Sequence, residues 1–144
     1  MVTATTIAET LGGRKVLKER LADYTAVIQR ARSGLPYAAL EAVATRYGIP
    51  VATLARVIDL PPRTLARRKK ERRLSATESD RLVRVARAAA SAEDVLEDRD
   101  NAGRWLQKPN RALGGVAPLD LLSSDLGAEQ VETILVRIDY GVYS

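Results

Sequence analysis

Apolar residues in this chain recur at intervals of three and four, and this periodicity narrows the possible folds more than any other feature. Val131, Ile134, Leu135 and Ile138 follow i, i+3, i+4, i+7, which lines one face of an α-helix and would fall on both faces of a strand. Val16, Leu17, Leu21, Tyr24, Ile28 and Ala31 repeat the spacing, as do Leu40, Val43, Ala44 and Tyr47. Leu82, Val83, Val85, Ala86, Ala89, Ala90, Val95 and Leu96 give a longer segment a broad apolar face. Phe is absent and aromatic residues make up only 4% of the chain, so a core has to come from Leu, Val, Ile and Ala. That composition suits packed helices better than aromatic-rich sheets. The expected fold class is all-α, an N-terminal helix-turn-helix bundle followed by a small helical domain.

Punctuation residues place the elements. A helix over 14–32 stops at Ser33-Gly34-Leu35-Pro36, and another over 37–47 ends on Gly48 as a left-handed cap. Two short helices, 51–58 and 63–71, flank Asp59-Leu60-Pro61-Pro62, a break enforced by prolines that lack an N–H. Ser75-Ala76-Thr77-Glu78 has the form of a capping box and opens a helix running to about Glu97. A short helix then carries Trp105 and Leu106 and must end before Pro109, while Asn110 to Gly115 reads as a loop. The lone Trp is expected to anchor the core, with direct contact to a partner as the alternative reading. Pro118 opens a further short helix, Ser123-Ser124-Asp125 leads into the last one, and Gly141 caps it. Residues 3–13 are small and polar and read as a frayed arm or short lead-in helix without a function. The expected division is 1–75 for the helix-turn-helix domain, 76–97 for a connecting helix and 98–144 for the C-terminal domain. The broad face of the connecting helix can pack within the chain or against a second copy.

Several functions are excluded by what is missing. The sequence has no Cys and no His, which removes the thiolate, the commonest general base and the commonest metal ligand. No paired carboxylates stand out beyond helix caps and solvated faces such as Glu93-Asp94 and Glu97-Asp98, so no catalytic residue, metal site or cofactor is expected. Gly114-Gly115 lacks the surroundings of a phosphate-binding loop. No stretch approaches the roughly 20 apolar residues of a membrane span, and the first residues lack the basic flank and apolar run of a signal peptide. A soluble cytoplasmic protein without membrane contact is the expectation.

Charge divides the chain. From Asp98 onward five bases face seven acids, a net −2, whereas eighteen bases and eleven acids give the remainder +7. Most of that excess sits in the second helix of the helix-turn-helix, where Arg63, Arg67, Arg68, Lys69, Lys70, Arg72 and Arg73 are interrupted by a single acid, Glu71. The run is denser than ordinary alternating surface charge. Arg63, Thr64, Arg67, Arg68, Lys69 and Lys70 are therefore the candidate DNA-binding residues: cations that neutralise phosphates, with those nearest the helix start placed to reach base edges in a major groove. The competing reading is a solvated helix end favoured by the helix dipole. Two recognition helices on a palindromic operator would require a homodimer, whose contact surface the sequence does not specify.

The last third carries an ordered set of motifs: Asn101-Ala102-Gly103-Arg104-Trp105-Leu106, Lys108-Pro109-Asn110-Arg111-Ala112-Leu113-Gly114-Gly115, Pro118-Leu119-Asp120-Leu121-Leu122 and Gly141-Val142-Tyr143-Ser144. In that order they resemble the C-terminal toxin-binding domain of the Xre/MbcA/ParS antitoxin family, and 37–73 resembles the Xre-like helix-turn-helix. The resemblance implies an antitoxin that neutralises a RES-domain, NAD-consuming toxin by docking beside its NAD cleft, and that represses its own operon. On this reading Arg137, Tyr140, Gly141, Val142, Tyr143 and Ser144 contact the toxin, the terminal carboxylate meeting cations that otherwise hold phosphate. Trp105, Pro109, Leu113, the glycines and Leu121-Leu122 read more simply as scaffold. The alternative is a helix-turn-helix regulator whose C-terminal domain oligomerises or senses, without a toxin.

Overall fold

The structure, a computed structural model, describes residues 2–141, and its elements are helices throughout. They are α1 (Ala4–Thr10), α2 (Gly13–Leu17), α3 (Tyr24–Arg32), α4 (Tyr37–Tyr47), α5 (Val51–Val57), α6 (Pro62–Glu71), α7 (Ala76–Leu96), α8 (Arg99–Gln107), a 3-10 turn (Arg111–Leu113), α9 (Pro118–Leu121) and α10 (Asp125–Asp139). The all-α expectation holds. No helix among the described residues is long and apolar enough to cross a membrane.

α7 is the axis of the molecule. It begins on the capping box read from the sequence: Ser75 Oγ accepts the Glu78 N–H at 3.1 Å while Glu78 Oε1 accepts the Ser75 N–H at 2.8 Å. Helices α1, α3, α4, α8 and α10 all pack on it. Ala88, Ala89 and Ala90 are consecutive yet all buried, so this part of α7 is covered over more than half of its circumference, with a stripe through Arg87 and Asp94 left to solvent, and its small side chains let neighbours approach closely. The alanine-rich face is thus used within the chain. One apolar core runs from Val2 to Leu135, and α4 of the helix-turn-helix half touches α8 of the C-terminal half directly.

In the N-terminal region one reading is decided and one is corrected. Of the two alternatives for residues 3–13, the short lead-in helix holds and the frayed arm does not: Thr3 caps α1 by accepting the Thr6 N–H at 3.1 Å, and Val2, Ala4, Ile7, Ala8 and Leu11 are buried against α7 and its neighbours. Apolar residues too few for a confident periodicity still fill a gap that only tertiary context reveals. The continuous helix expected over 14–32 is broken after Leu17, where Lys18 adopts φ 65° and its N–H closes on Arg14 O at 2.9 Å. Asp23 starts a new helix by accepting the Ala26 N–H at 2.8 Å. The break leaves Leu17 and Leu21 in the core but turns Tyr24 and Ile28 half out to solvent.

Ion pairs and close backbone contacts tie the halves together. Glu93, read from sequence as part of a solvated face, accepts both Arg46 Nε and Arg46 Nη2 at 3.0 Å and the Tyr47 hydroxyl at 2.9 Å. Burial above all pushes the Tyr47 pKa up to about 12, keeping the phenol a proton donor to Glu93. Gly103 faces the backbone at the end of α4, where an added Cβ would lie 1.9 Å from Tyr47 O.

Candidate functional site

The basic helix α6 is built to stand off the body. Asp59, at φ 61°, turns the chain after α5; Leu60 is buried and its N–H bonds Ala55 O at 2.7 Å; Pro62 then supplies the fixed φ suited to a helix start. No residue of α6 is buried. Leu65 is half-buried against the core, and Arg63, Arg67, Lys69 and Lys70 are exposed, with Thr64 intermediate. Arg63, Arg67 and Lys70 fall at i, i+4, i+7 and so form one outward cationic stripe.

Arg68 is directed elsewhere. Its guanidinium is only 19% exposed and folds back onto Glu78, with Nε to Oε1 at 2.7 Å and Nη2 to Oε2 at 3.1 Å, while Nη1 reaches Glu71 at 3.1 Å. Of the six residues read as DNA-binding, five are thus free to face outward and Arg68 is held by the scaffold. Arg72 and Arg73 lie where 72–74 runs beside 35–37: Tyr37 N–H bonds Arg72 O at 3.1 Å, Leu74 N–H bonds Leu35 O at 2.9 Å, and Arg73 Nη2 donates to Ser33 O.

A second exposed surface lies on α10. Ser124 caps the helix by accepting the Gly127 N–H at 3.0 Å, and Gly127 crosses α9 so closely that an added Cβ would sit 1.9 Å from Leu121 O. Arg84 of α7 holds Asp125 at 2.6 Å, and Ser91 Oγ donates to Glu132 at 3.1 Å. Val131, Ile134 and Leu135 point into the core as their spacing predicted, with Ile138 half-buried. On the opposite face Leu126, Gln130, Thr133, Arg137 and Tyr140 alternate by four and three residues and are all exposed. Leu126 is 73% and Tyr140 77% exposed, and Val136 flanks them. A cleft of about 300 Å³ separates this face from the 3-10 turn, lined by Ala112 and Leu113 on one side and Leu126, Gln130, Thr133 and Arg137 on the other.

The structure therefore brings Arg137, Tyr140 and Gly141 together at the end of α10, while Val142, Tyr143 and Ser144 lie outside the described residues. Sequence reasoning missed Leu126 and Val136. A signal was present: Leu126, Thr133 and Tyr140 repeat every seventh position on the side away from Val131 and Ile134. The Pro-Asn to Gly-Gly motif is a self-bonded loop, in which Asn110 Oδ1 accepts the Ala112 N–H at 2.9 Å, the Asn110 N–H bonds Val116 O at 3.1 Å, and Gly114 and Gly115 take φ of 73° and 86°. Trp105 is half-buried and packs against the core. Among the described residues no group of His, Cys, Asp and Glu is arranged to hold a metal.

Taken together these features define a helix-turn-helix protein that carries, on the same core, a second helical unit with an exposed face bearing Leu126, Arg137 and Tyr140. Residues 26–87 match the antitoxin Xre-like helix-turn-helix domain, and residues 91–141 match the antitoxin Xre/MbcA/ParS C-terminal toxin-binding domain. The chain belongs to the Xre/MbcA/ParS antitoxin family. It is 40% identical to the antitoxin Xre of Pseudomonas putida over 83 residues, a match spanning 57% of this chain and 52% of that protein, so the match covers about half of that relative's length. It is 29% identical to the antitoxin Xre of Yersinia enterocolitica over 122 residues, covering 83% of this chain and 82% of that one. Its fold is similar to a chain in the crystal structure of the M. tuberculosis MbcT–MbcA toxin–antitoxin complex, with a TM-score of 0.55, 27% identity and coverage of 73% of this chain and 94% of that chain.

Proposed function

We propose that the chain neutralises a RES-type, NAD-degrading toxin by seating the outer face of α10, with Arg137, Tyr140 and Gly141, against the toxin and carrying Val142, Tyr143 and Ser144 into its active-site cleft. The observation that carries this reading is the exposure of Leu126 and Tyr140 along one face of a helix whose other face packs into the core through Val131, Ile134 and Leu135. The antitoxin is a binder, and the NAD chemistry belongs to its partner. In the same reading the stripe of Arg63, Arg67 and Lys70, with Thr64 and Lys69, engages operator DNA, and a homodimer of the chain represses its own operon.

Co-expression with the product of the neighbouring reading frame tests the central claim, with growth and cellular NAD read together. The full chain is expected to restore both, and removal of Tyr143-Ser144 to abolish rescue while the truncated chain keeps the thermal melt of the parent. Full rescue by the truncated chain would rule out the tip as the plug. Failure of the full chain to co-purify with that product, with its helix-turn-helix still binding DNA, would favour a regulator without a toxin.

A further inference from the structure

A helix that reads DNA must be held at a fixed angle to the body, because phosphate and base contacts tolerate little misplacement. α6 has few means of being held. It buries no residue, and its apolar attachment is the half-buried Leu65. Its C-terminal end is clamped by the backbone bonds of Arg72 and Leu74 to Tyr37 and Leu35, but the first turns, which bear Arg63, Thr64 and Arg67, lie beyond that clamp. What reaches into this gap is the Arg68 guanidinium, one turn before the clamp, forked onto the Glu78 carboxylate at 2.7 and 3.1 Å.

Glu78 has the properties of an anchor. It is 7% exposed, it stands in the first turn of α7, and Oε1 also accepts the Ser75 N–H at 2.8 Å. Two parallel N–H···O bonds between planar groups fix orientation as well as distance, which a single point contact does not. Burial alone would raise the Glu78 pKa, but Arg68 and the Ser75 backbone overcome it and the carboxyl is held below its ordinary value. It stays charged at neutral pH.

We propose that Glu78 is a positioning residue for the α6 surface: acting through Arg68, it sets the angle at which Arg63 and Arg67 meet a DNA duplex, and neither Glu78 nor Arg68 touches the nucleic acid. The inference rests on the DNA reading given above and reassigns Arg68 from contact to strut. The carboxylate thereby serves two elements, closing the capping box of α7 and bracing α6.

The test uses the full chain, with Glu78→Gln, Arg68→Lys and Arg63→Ala. Hydrogen exchange of residues 62–71 in the free protein reads the strut without any DNA. Anisotropy with a duplex from upstream of the chain's own gene, against a scrambled duplex, reads function. Arg68→Lys is decisive because lysine keeps a charge for a phosphate but cannot form the fork. Both Glu78→Gln and Arg68→Lys are expected to speed exchange across 62–71 and weaken operator binding by on the order of tenfold, with exchange in α10 unchanged. Arg63→Ala should weaken binding without altering exchange. Wild-type exchange in 62–71 for both strut variants, or wild-type operator affinity with Arg68→Lys, would overturn the proposal. Faster exchange in the strut variants of a protein that binds neither duplex would remove the DNA reading and support the strut alone.

Discussion

Glu132 carries its charge at a cost. It is largely covered between α7 and α10, and burial, the dominant influence, raises its pKa even though Ser91 donates to it and Arg87 lies near enough to favour the anion. A carboxyl whose folded pKa is raised disfavours folding wherever it is ionised. The penalty is complete above the folded pKa and absent below the ordinary value of 4.5, where both states bind the proton. Glu132→Gln keeps an oxygen for the Ser91 hydroxyl and removes the charge. The variant is therefore expected to melt a few degrees higher than the parent near pH 7, the gap closing as the pH falls toward 4.5. A lower melting temperature at pH 7, with a gap that shrinks as the carboxyl protonates, would show instead that the Ser91 bond and the Arg87 charge outweigh burial. None of this was readable in the sequence, which does not say that Glu132 comes to lie against Ser91 and Arg87 of α7.

Between elements, the closest approaches are backbone to backbone. α8 crosses the end of α4 at Gly103, and a methyl group there would meet Tyr47 O at 1.9 Å with no flexible side chain to move aside. Gly103→Ala must pry the two helices apart, and a loss of about 3 kcal/mol or more is expected in denaturant unfolding, at the upper end of overpacking effects. A change under about 0.5 kcal/mol would mean that α8 can shift freely on α4. Element by element, the sequence was legible wherever a cap or proline stood beside a clean apolar spacing: α4 with Gly48, α7 with its capping box, α8 ending before Pro109 and α10 with Ser124. It was illegible where periodicity ran straight through a break, as from Leu17 across Lys18 to Tyr24, because the spacing of a helix interrupted by about one turn of coil still matches helical intervals. The candidate surfaces divide in the same way. The cations of α6 were visible as composition, but that Arg68 turns inward depends on Glu78 ten positions later, and the exposure of Leu126 depends on which face α7 covers.

For the molecule as a whole, a single core predicts a single transition. Three segments with separate cores would unfold in steps, whereas packing of α1, α3, α4, α8 and α10 on one axial helix makes each half a support of the other. Heat or urea is expected to unfold the chain in one cooperative step, coincident by near- and far-ultraviolet circular dichroism. Removing residues 2–11 strips Ile7 and Leu11, 2% and 0% exposed, from that axis. At about 2–5 kcal/mol for each large aliphatic side chain, this loss is comparable with the whole stability of an ordinary domain. The truncated chain should show no cooperative melt, including in the distant α8 to α10 region. A preserved C-terminal transition would mean instead that this half folds alone. The standing-off of α6 has the opposite consequence, one that plays out over descent rather than over degrees. A helix with no buried residue, attached through Leu65 and Arg68, can exchange its other residues without loosening the rest, so its outward surface can drift, or be grafted from a relative, while the C-terminal half stays under its own selection.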